Sequence, residues 1–498
     1  MIRRRRPLAC GTVAFAAAVA VAAANLAGAH AAAAPAAAQD APARPRNIVF
    51  ILSDDHRHDW MSFHEAAPEF LRTPGFDRMA KGGAHLVNAF VGTSLCSPSR
   101  ASILTGRYAY HHGVVDNQSP LGEGSVLFPE LLRRAGYQTA FVGKWHMGHH
   151  TDERQPGFDH WVSFAGQGVY YDPTLNVNGE RIEVKGYTTD ILTERALDWL
   201  ERRDRGKPFL LYLSHKAVHA EFEPAPRHRG RYSSVKPEYP PTMANTEANY
   251  AGKPHWVREQ RFSWHGVDYM YHGQFQFDEF YRRYAETLLA LDESISRVLD
   301  YLERSGLAES TLVVYMGDNG FALGEHGLID KRHAYEESMR VPMLAWAPGW
   351  IAPGSRVDEI ILNVDIAPTL LELAGAPAPQ GRDGTSFLPL LRGESVAWRD
   401  EIAYVYYWEY FFPHTPTTFA LRTDRYKFIT YHGIWDTDEL YDLETDPLER
   451  RNLVDDPAHE ARVKAMRDRL FERLDAAGAL DVPFVRPHGE PMDERGPR

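Results

Sequence analysis

Four short apolar runs in the first two thirds of the chain, residues 46–52, 136–142, 208–213 and 310–316, each stop abruptly at polar residues that can do chemistry. Continuous apolar runs of this length read as strands buried on both faces of a parallel sheet. The first runs into Ser53-Asp54-Asp55-His56 and the second into Gly143-Lys144-Trp145-His146. The third meets Ser214-His215-Lys216-Ala217-Val218-His219, and the fourth meets Gly317-Asp318-Asn319-Gly320. Ligands in open α/β sheets bind at the carboxyl ends of strands, so the pattern lines acids, bases and cations along one sheet edge. Helical spacing of apolar residues in 128–135, 188–203 and 281–305 alternates with the runs. The fold class predicted is α/β, a large and mostly parallel sheet sandwiched by helices.

A further apolar run at 341–346 and a helical pattern at 365–374 precede a shift in composition near Gly393-Glu394-Ser395. Short strand patterns at 403–407, 418–422, 426–431 and 439–441, then a helical one at 458–476, predict a small C-terminal antiparallel α+β subdomain. The expected organisation is a main domain over 46–395, this subdomain over 396–486 and a loose polar tail over 487–498. Residues 220–275 mix prolines, tryptophans, tyrosines and histidines without a sustained period. They read either as a long surface excursion or as a lid or wall that stacks on a sugar or aromatic substrate.

Composition is that of an ordinary globular protein, 44% hydrophobic and 24% charged over 498 residues. A net charge of −12 argues against a nucleic-acid partner, which would need a basic face. An anion remains bindable through a few local cations and a metal. The arginines at 3–6, the alanine-rich run at 8–28 and the small-residue site Ala29-His30-Ala31 read as a secretory signal peptide over 1–31, followed by an Ala/Pro linker over 32–45. A membrane anchor is the competing reading of that run, but alanine is only weakly apolar. The arginines hint at twin-arginine export, which Pro7-Leu8 fits poorly. No later run is long enough to span a bilayer, so the expected location is periplasmic or secreted, without stable membrane insertion.

The chain has two cysteines, Cys10 inside the leader and Cys96 in Ser94-Leu95-Cys96-Ser97-Pro98-Ser99-Arg100. Pro98 suits the first turn of a helix, since its missing N–H has no intrahelical partner there. Cys96 then sits just before that helix, where unpaired N–H groups and the dipole favour an anion. A lone cysteine is most often a small buried hydrophobe; the neighbouring Pro-Ser-Arg points to chemistry instead.

Cys96-Ser97-Pro98-Ser99-Arg100 with Leu104-Thr105-Gly106-Arg107 resembles the first signature of the formylglycine-dependent sulfatases of the alkaline phosphatase superfamily, and residues 136–146 resemble their second. Ser53-Asp54-Asp55, Gly317-Asp318-Asn319-Gly320 and the C-terminal Glu439-Leu440-Tyr441-Asp442-Leu443 extend the resemblance over the whole mature chain. It implies an alkaline-phosphatase-like fold and an enzyme that hydrolyses a sulfate monoester to alcohol and sulfate. It implies that a formylglycine-generating enzyme oxidises Cys96 to Cα-formylglycine. The aldehyde hydrate would attack sulfur, and the sulfoenzyme intermediate would expel sulfate by elimination, splitting one hard displacement into two easier steps.

The same resemblance implies that Asp54, Asp55, Asp318 and Asn319, with residue 96, hold Ca²⁺, Mg²⁺ being the alternative. Arg100 would steady the cluster, while Lys144 and Lys331 would bind sulfate oxygens. His146 resembles the base and His219 the acid that protonates the leaving oxygen. His215 takes a supporting place in substrate binding. Lys331 lies four residues before Tyr335, as the family's sulfate lysine does, with Arg332 as a neighbouring competitor. Gly324-Glu325-His326-Gly327-Leu328 resembles glycan-directed branches, including those acting on 6-O-sulfated N-acetylglucosamine. The alternatives are a phosphodiester or phosphonate monoester hydrolase on the same scaffold, and a catalytically dead protein that binds sulfated glycans.

Overall fold

A computed structural model of the chain describes residues 44–148, 151–270, 275–433 and 436–483. The signal peptide expected at 1–31, all but the end of the linker and the tail at 487–498 lie outside the described residues.

The first half of the chain contributes strands β1 (Asn47–Ser53), β2 (Ala84–Leu86), β3 (Ala89–Phe90), β4 (Gln138–Lys144), β5 (His160–Phe164), β6 (Thr174–Val177), β7 (Glu180–Glu183) and β8 (Phe209–Ser214). The second half adds β9 (Thr311–Gly317), β10 (Met343–Trp346), β11 (Ser355–Val357), β12 (Ile361–Leu362), β13 (Glu401–Tyr406), β14 (Thr418–Thr423), β15 (Tyr426–Tyr431) and β16 (Glu439–Asp442). Ten of them form one sheet in the order β11-β2-β10-β9-β1-β8-β4-β5-β6-β7. The four predicted strands, in the order β9, β1, β8 and β4, are parallel, and β5, which the sequence pattern did not mark, joins β4 in parallel. Antiparallel pairing of β10 with β9 and β2, and of β6 with β5 and β7, makes the whole sheet mixed. The β6–β7 turn is Asn178-Gly179, both with positive φ, and a two-residue connection of this kind can join only antiparallel strands.

Alternate residues of the central strands face two cores. Val49 and Ile51 of β1, Leu211 and Leu213 of β8, and Val313 and Tyr315 of β9 pack against the helices Pro74–Gly82, Thr188–Arg202 and Phe277–Arg304. Ile48, Phe50 and Leu52, with Leu210, Tyr212 and Val314, meet the helices Cys96–Thr105, Phe128–Arg134 and Ile366–Leu373 on the other face. All five apolar residues of β1 are 0% exposed. At about 1.5–3 kcal/mol for each fully buried aliphatic or aromatic side chain, this double burial holds the sheet's centre in place.

A second sheet, β13-β14-β15-β16, is antiparallel throughout. One face, with Phe419, Leu421, Phe428 and Leu440, packs on Val463, Met466, Leu470 and Leu474 of the helix Glu460–Ala476. The other, with Tyr404, Tyr406, Ile429 and Tyr441, packs on Tyr335 and Met339 from the loop that leaves β9.

The long helix Phe277–Arg304 carries a buried carboxyl, Asp292, which accepts from the Phe76 N–H at 2.9 Å. Burial pushes its pKa up to about 7, against the two backbone donors Gly75 and Phe76. The folded state therefore favours the protonated acid, and its penalty grows as pH rises from the unfolded value of about 3.9 to about 7. Asp292→Asn keeps the acceptor and removes the charge. Its melting temperature relative to the native chain is expected to rise between about pH 5 and about pH 8; thermal-shift measurements across that range test it, and a flat difference would refute the assignment.

Candidate active site

The carboxyl ends of β1, β4, β8 and β9 lie side by side, and each delivers its polar residues to one place. Backbone bonds lock the ends together. Asp318 N donates to Ser53 O at 2.9 Å, Asp54 N to Ala217 O at 3.0 Å and Val218 N to Asp54 O at 2.7 Å. Gly143 has φ +130°, and a Cβ there would stand 1.7 Å from Ser214 O, so only glycine lets β4 approach β8 this closely just before Lys144.

Cys96 comes from a helix that packs on the sheet face lined by Ile48, Phe50 and Leu52. Its helix, Cys96–Thr105, starts one residue earlier than the position of Pro98 suggested: Leu95 is the extended cap, and Cys96 is the first helical residue. Pro98 is still inside the first turn, where it removes no helical bond. Ser97 N donates to Asn117 Oδ1 at 3.0 Å, which satisfies one of the open donors.

Arg100, one turn along, is 1% exposed and reaches all four strand ends. Its Nε donates to Asp318 Oδ2 at 2.9 Å, and its Nη2 lies 2.8 Å from Asp318 Oδ2 and 3.2 Å from Asp54 Oδ2. Nη1 donates to Lys144 O at 2.8 Å and to Ser214 Oγ at 2.7 Å.

Carboxylate oxygens of Asp54, Asp55 and Asp318 lie within 4.8 Å of one another, all buried. Asn319 Nδ2 donates to Asp55 Oδ1 at 2.7 Å, while its buried Oδ1 has no partner. Three carboxylates and an orphaned amide oxygen are a hard-oxygen set able to hold a metal ion such as Ca²⁺ or Mg²⁺. Lysines stand on two of these acids. Lys144 Nζ bonds Asp54 Oδ2 and Gln167 Oε1. Lys331 Nζ lies 2.5 Å from Asp55 Oδ1 and donates to Cys96 Sγ at 2.9 Å.

Burial alone would raise the Asp54 carboxyl, but the Lys144 ammonium foremost, with Arg100 and Lys331, holds it well below the usual range. Asp55 is raised by burial against Lys331, and Asp318 goes up to about 7 through burial and the Asp54 charge. Burial and then Asp54 push the Cys96 thiol up to about 12. A thiol so fully protonated is a poor nucleophile. The helix start therefore does not make a thiolate here, because burial outweighs the dipole.

Both site histidines are held neutral by burial and then by Lys144. His146 Nδ1 lies 3.4 Å from Ser97 Oγ, and its Nε2 is buried without a partner. The His219 Nδ1–H bonds Ala220 O, and its Nε2 stands 3.8 Å from Asp55 Oδ2. His215 is fully buried, with Nε2 3.0 Å from Ser294 Oγ of the long helix and Nδ1 without a partner, so its contacts run to the helix behind the site. Of the neighbouring cations at 331 and 332, Lys331 enters the centre, while Arg332 turns to Glu409 at 2.7 Å and to the Phe412 ring at 3.6 Å.

The 220–275 segment zips onto the lysine loop: Ile329 N donates to His265 O at 2.7 Å and Val267 N to Gly327 O at 3.0 Å. Ser214 and Gln167 are polar contacts that sequence patterning passed over. Ser214 had a signal, as the last residue of a strand ahead of two histidines. Gln167 had only its flanking glycines.

A sulfatase family profile matches residues 46–376. The chain belongs to the sulfatase family. A second profile, that of the N-sulphoglucosamine sulphohydrolase C-terminal region, matches residues 324–476 of this sulfatase. It is 34% identical to an N-acetylglucosamine-6-O-sulfatase of Bacteroides thetaiotaomicron, over 87% of both chains. It is 33% identical to the N-acetylglucosamine-6-sulfatase of Homo sapiens, over 74% of this chain and 68% of that one. A solved structure in complex with its substrate D-glucosamine-2-N,6-O-disulfate superposes with a TM-score of 0.81 at 32% identity, over 89% of this chain and all of that one. Among the described residues, no helix is long and apolar enough to cross a membrane.

Arg100→Met leaves Asp54 and Asp318 buried without their shared partner, a change that costs about 3–5 kcal/mol. The expected outcome is a clear fall in the denaturation midpoint of the metal-free protein, measured by urea titration. An unchanged midpoint would show that the strand ends do not depend on the guanidinium.

Proposed function

We propose that this sulfatase is exported and removes the 6-O-sulfate of N-acetylglucosamine or a related glucosamine residue, using formylglycine at position 96 and a Ca²⁺ ion. The observation that carries the reading is the meeting of Cys96, Asp54, Asp55, Lys144 and Lys331 at one point. The substrate follows the names of the relatives, and export follows the leader-like pattern at 1–31. In this reading residues 46–395 are the catalytic domain and 396–486 the subdomain that supports it.

Asp54, Asp55, Asp318 and Asn319 would hold the metal, which lends positive charge where sulfate binds. Formylglycine hydrate would supply one hydroxyl to attack sulfur and a second whose proton is later removed. The chain's own groups do the rest. Lys144 and Lys331 now neutralise Asp54 and Asp55; with a metal held by those carboxylates, both ammonium groups would turn to sulfate oxygens. His146 takes a proton at Nε2, the atom without a partner. His219, its ring fixed by the Nδ1–H bond to Ala220 O, gives a proton from Nε2 to the leaving oxygen once the arriving anion favours its charged form. Because Cys96 is 0% exposed, the modifying enzyme must reach it before the chain folds.

Sulfate release from 6-O-, 4-O- and 3-O-sulfated amino sugars, alongside an aryl phosphodiester, tests the reading. The 6-O ester is expected to be cleaved fastest, and faster phosphodiester cleavage would overturn it. Cys96→Ala is expected to lower turnover on the order of 10⁴-fold or more with an unchanged circular dichroism spectrum. Mass spectrometry of the peptide bearing residue 96, from a host with the modifying enzyme, should show the aldehyde in place of the thiol. Chelation should abolish activity, and Ca²⁺ should restore it better than Mg²⁺, since an all-oxygen set beside an anionic substrate suits the larger ion.

A further inference from the structure

Three lysines crowd the strand ends, and two of them have carboxylate partners. Lys216 is the third. It is 6% exposed, and among the described residues no carboxylate or other acceptor meets its Nζ, which stands 4.8 Å from the centroid of the Tyr170 ring. Neighbouring bonds fix its backbone. His219 N donates to Lys216 O at 2.9 Å, the intervening Ala217 and Val218 pair with the Asp54 backbone, and the Tyr170 hydroxyl donates to His219 O at 2.6 Å. Lys216, Tyr170 and His219 are thus parts of one wall, beside the proposed proton donor to the leaving group.

A buried ammonium facing only an aromatic ring is incompletely compensated. A cation–π contact returns about 0.5–2 kcal/mol, whereas an unpaired buried charge costs more. Lys144, Asp54, Asp55 and Glu223 are the charged groups that bear on it, Lys144 foremost, and burial with that like charge brings its pKa down to about 8. The arrangement suits an anion that arrives with the substrate. The sulfate being cleaved already has Lys144 and Lys331, which leaves Lys216 for the leaving-group side.

We propose that Lys216 binds a second anionic substituent on the sugar that carries the scissile sulfate, with the Tyr170 ring behind it. This rests on the carbohydrate reading given above. The enzyme would then favour glucosamine bearing both 2-N- and 6-O-sulfate over N-acetylglucosamine-6-sulfate.

The test is the ratio of kcat/KM for those two sugars, measured by sulfate release on the metal-loaded, formylglycine-bearing enzyme. The native enzyme should favour the disulfate. Lys216→Met should lower the ratio on the order of 10- to 100-fold, the worth of a hydrogen bond to a charged group, chiefly through KM for the disulfate. Lys216→Arg should keep most of the preference. A native enzyme that favours the N-acetyl sugar overturns the proposal without any variant, and so does an unchanged ratio in Lys216→Met. Failure of the carbohydrate reading looks different: the native enzyme would release sulfate from neither sugar, and this proposal would fall with it.

Discussion

The Arg100 guanidinium is the constraint on which the centre depends. One planar group, 1% exposed, bonds the Asp54 and Asp318 carboxylates, the Lys144 carbonyl and the Ser214 hydroxyl, and so ties the ends of β1, β9, β4 and β8 to the Cys96 helix. Lysine could not do this. A point charge on a flexible stem lacks the fork of fixed donors that meets two carboxylates and a carbonyl at once. The parallel sheet brings the strand ends near one another; the arginine sets their spacing and places Cys96 over them.

Charge balance follows from that arrangement. Three buried carboxylates face three buried cations, Arg100, Lys144 and Lys331, so the metal-free centre is close to neutral. Such ion pairs return little net stability, because desolvation consumes most of the Coulombic gain. Their value is in exchange. In the proposed reading a dication would take oxygens that the two lysines now hold, while Arg100 would keep its place through the carbonyl and the hydroxyl as well as the acids. Of the two lysines, Lys331 also reaches the Cys96 sulfur, whereas Lys144 divides its bonds between Asp54 and Gln167.

How much of this was legible in the sequence depends on the kind of element. Strands β1, β4, β8 and β9 and the helix Phe277–Arg304 were readable because burial on two faces, or on one stripe, writes its period directly into residues such as 48–52 and 310–316. The chemistry at the strand ends was readable for the same reason, since a strand that stops at Asp54-Asp55 or Asp318-Asn319 announces where those groups go. The antiparallel edges were harder, because β6 and β7 are four residues each and their Asn178-Gly179 turn is their main signal. The Ser294 contact of His215 was not legible because sequence spacing cannot tell which histidine of a tight turn points to the site and which points to the helix behind. Gln167 and Lys216 were passed over because their significance lies in what surrounds them in space.

Lys331 raises a different question, since it sits in an irregular loop rather than at a strand end. An irregular buried segment has no ladder to satisfy its backbone or fix its side chains, so neighbouring surfaces must supply both. Here Asp330 meets His265 at 3.2 Å and Arg332 meets Glu409 at 2.7 Å. Further along, the Tyr335 hydroxyl donates to Glu439 at 2.8 Å, and Lys427 holds both Ala334 O and Glu336. The partners come from two sources, the 220–275 excursion and the C-terminal sheet, one on each side of the loop. Neither reaches Cys96, yet each fixes a residue next to the lysine that does. The second sheet is therefore part of the active centre in an energetic sense: without it the large sheet would still align the acids, but the cation opposite Cys96 would have no fixed place.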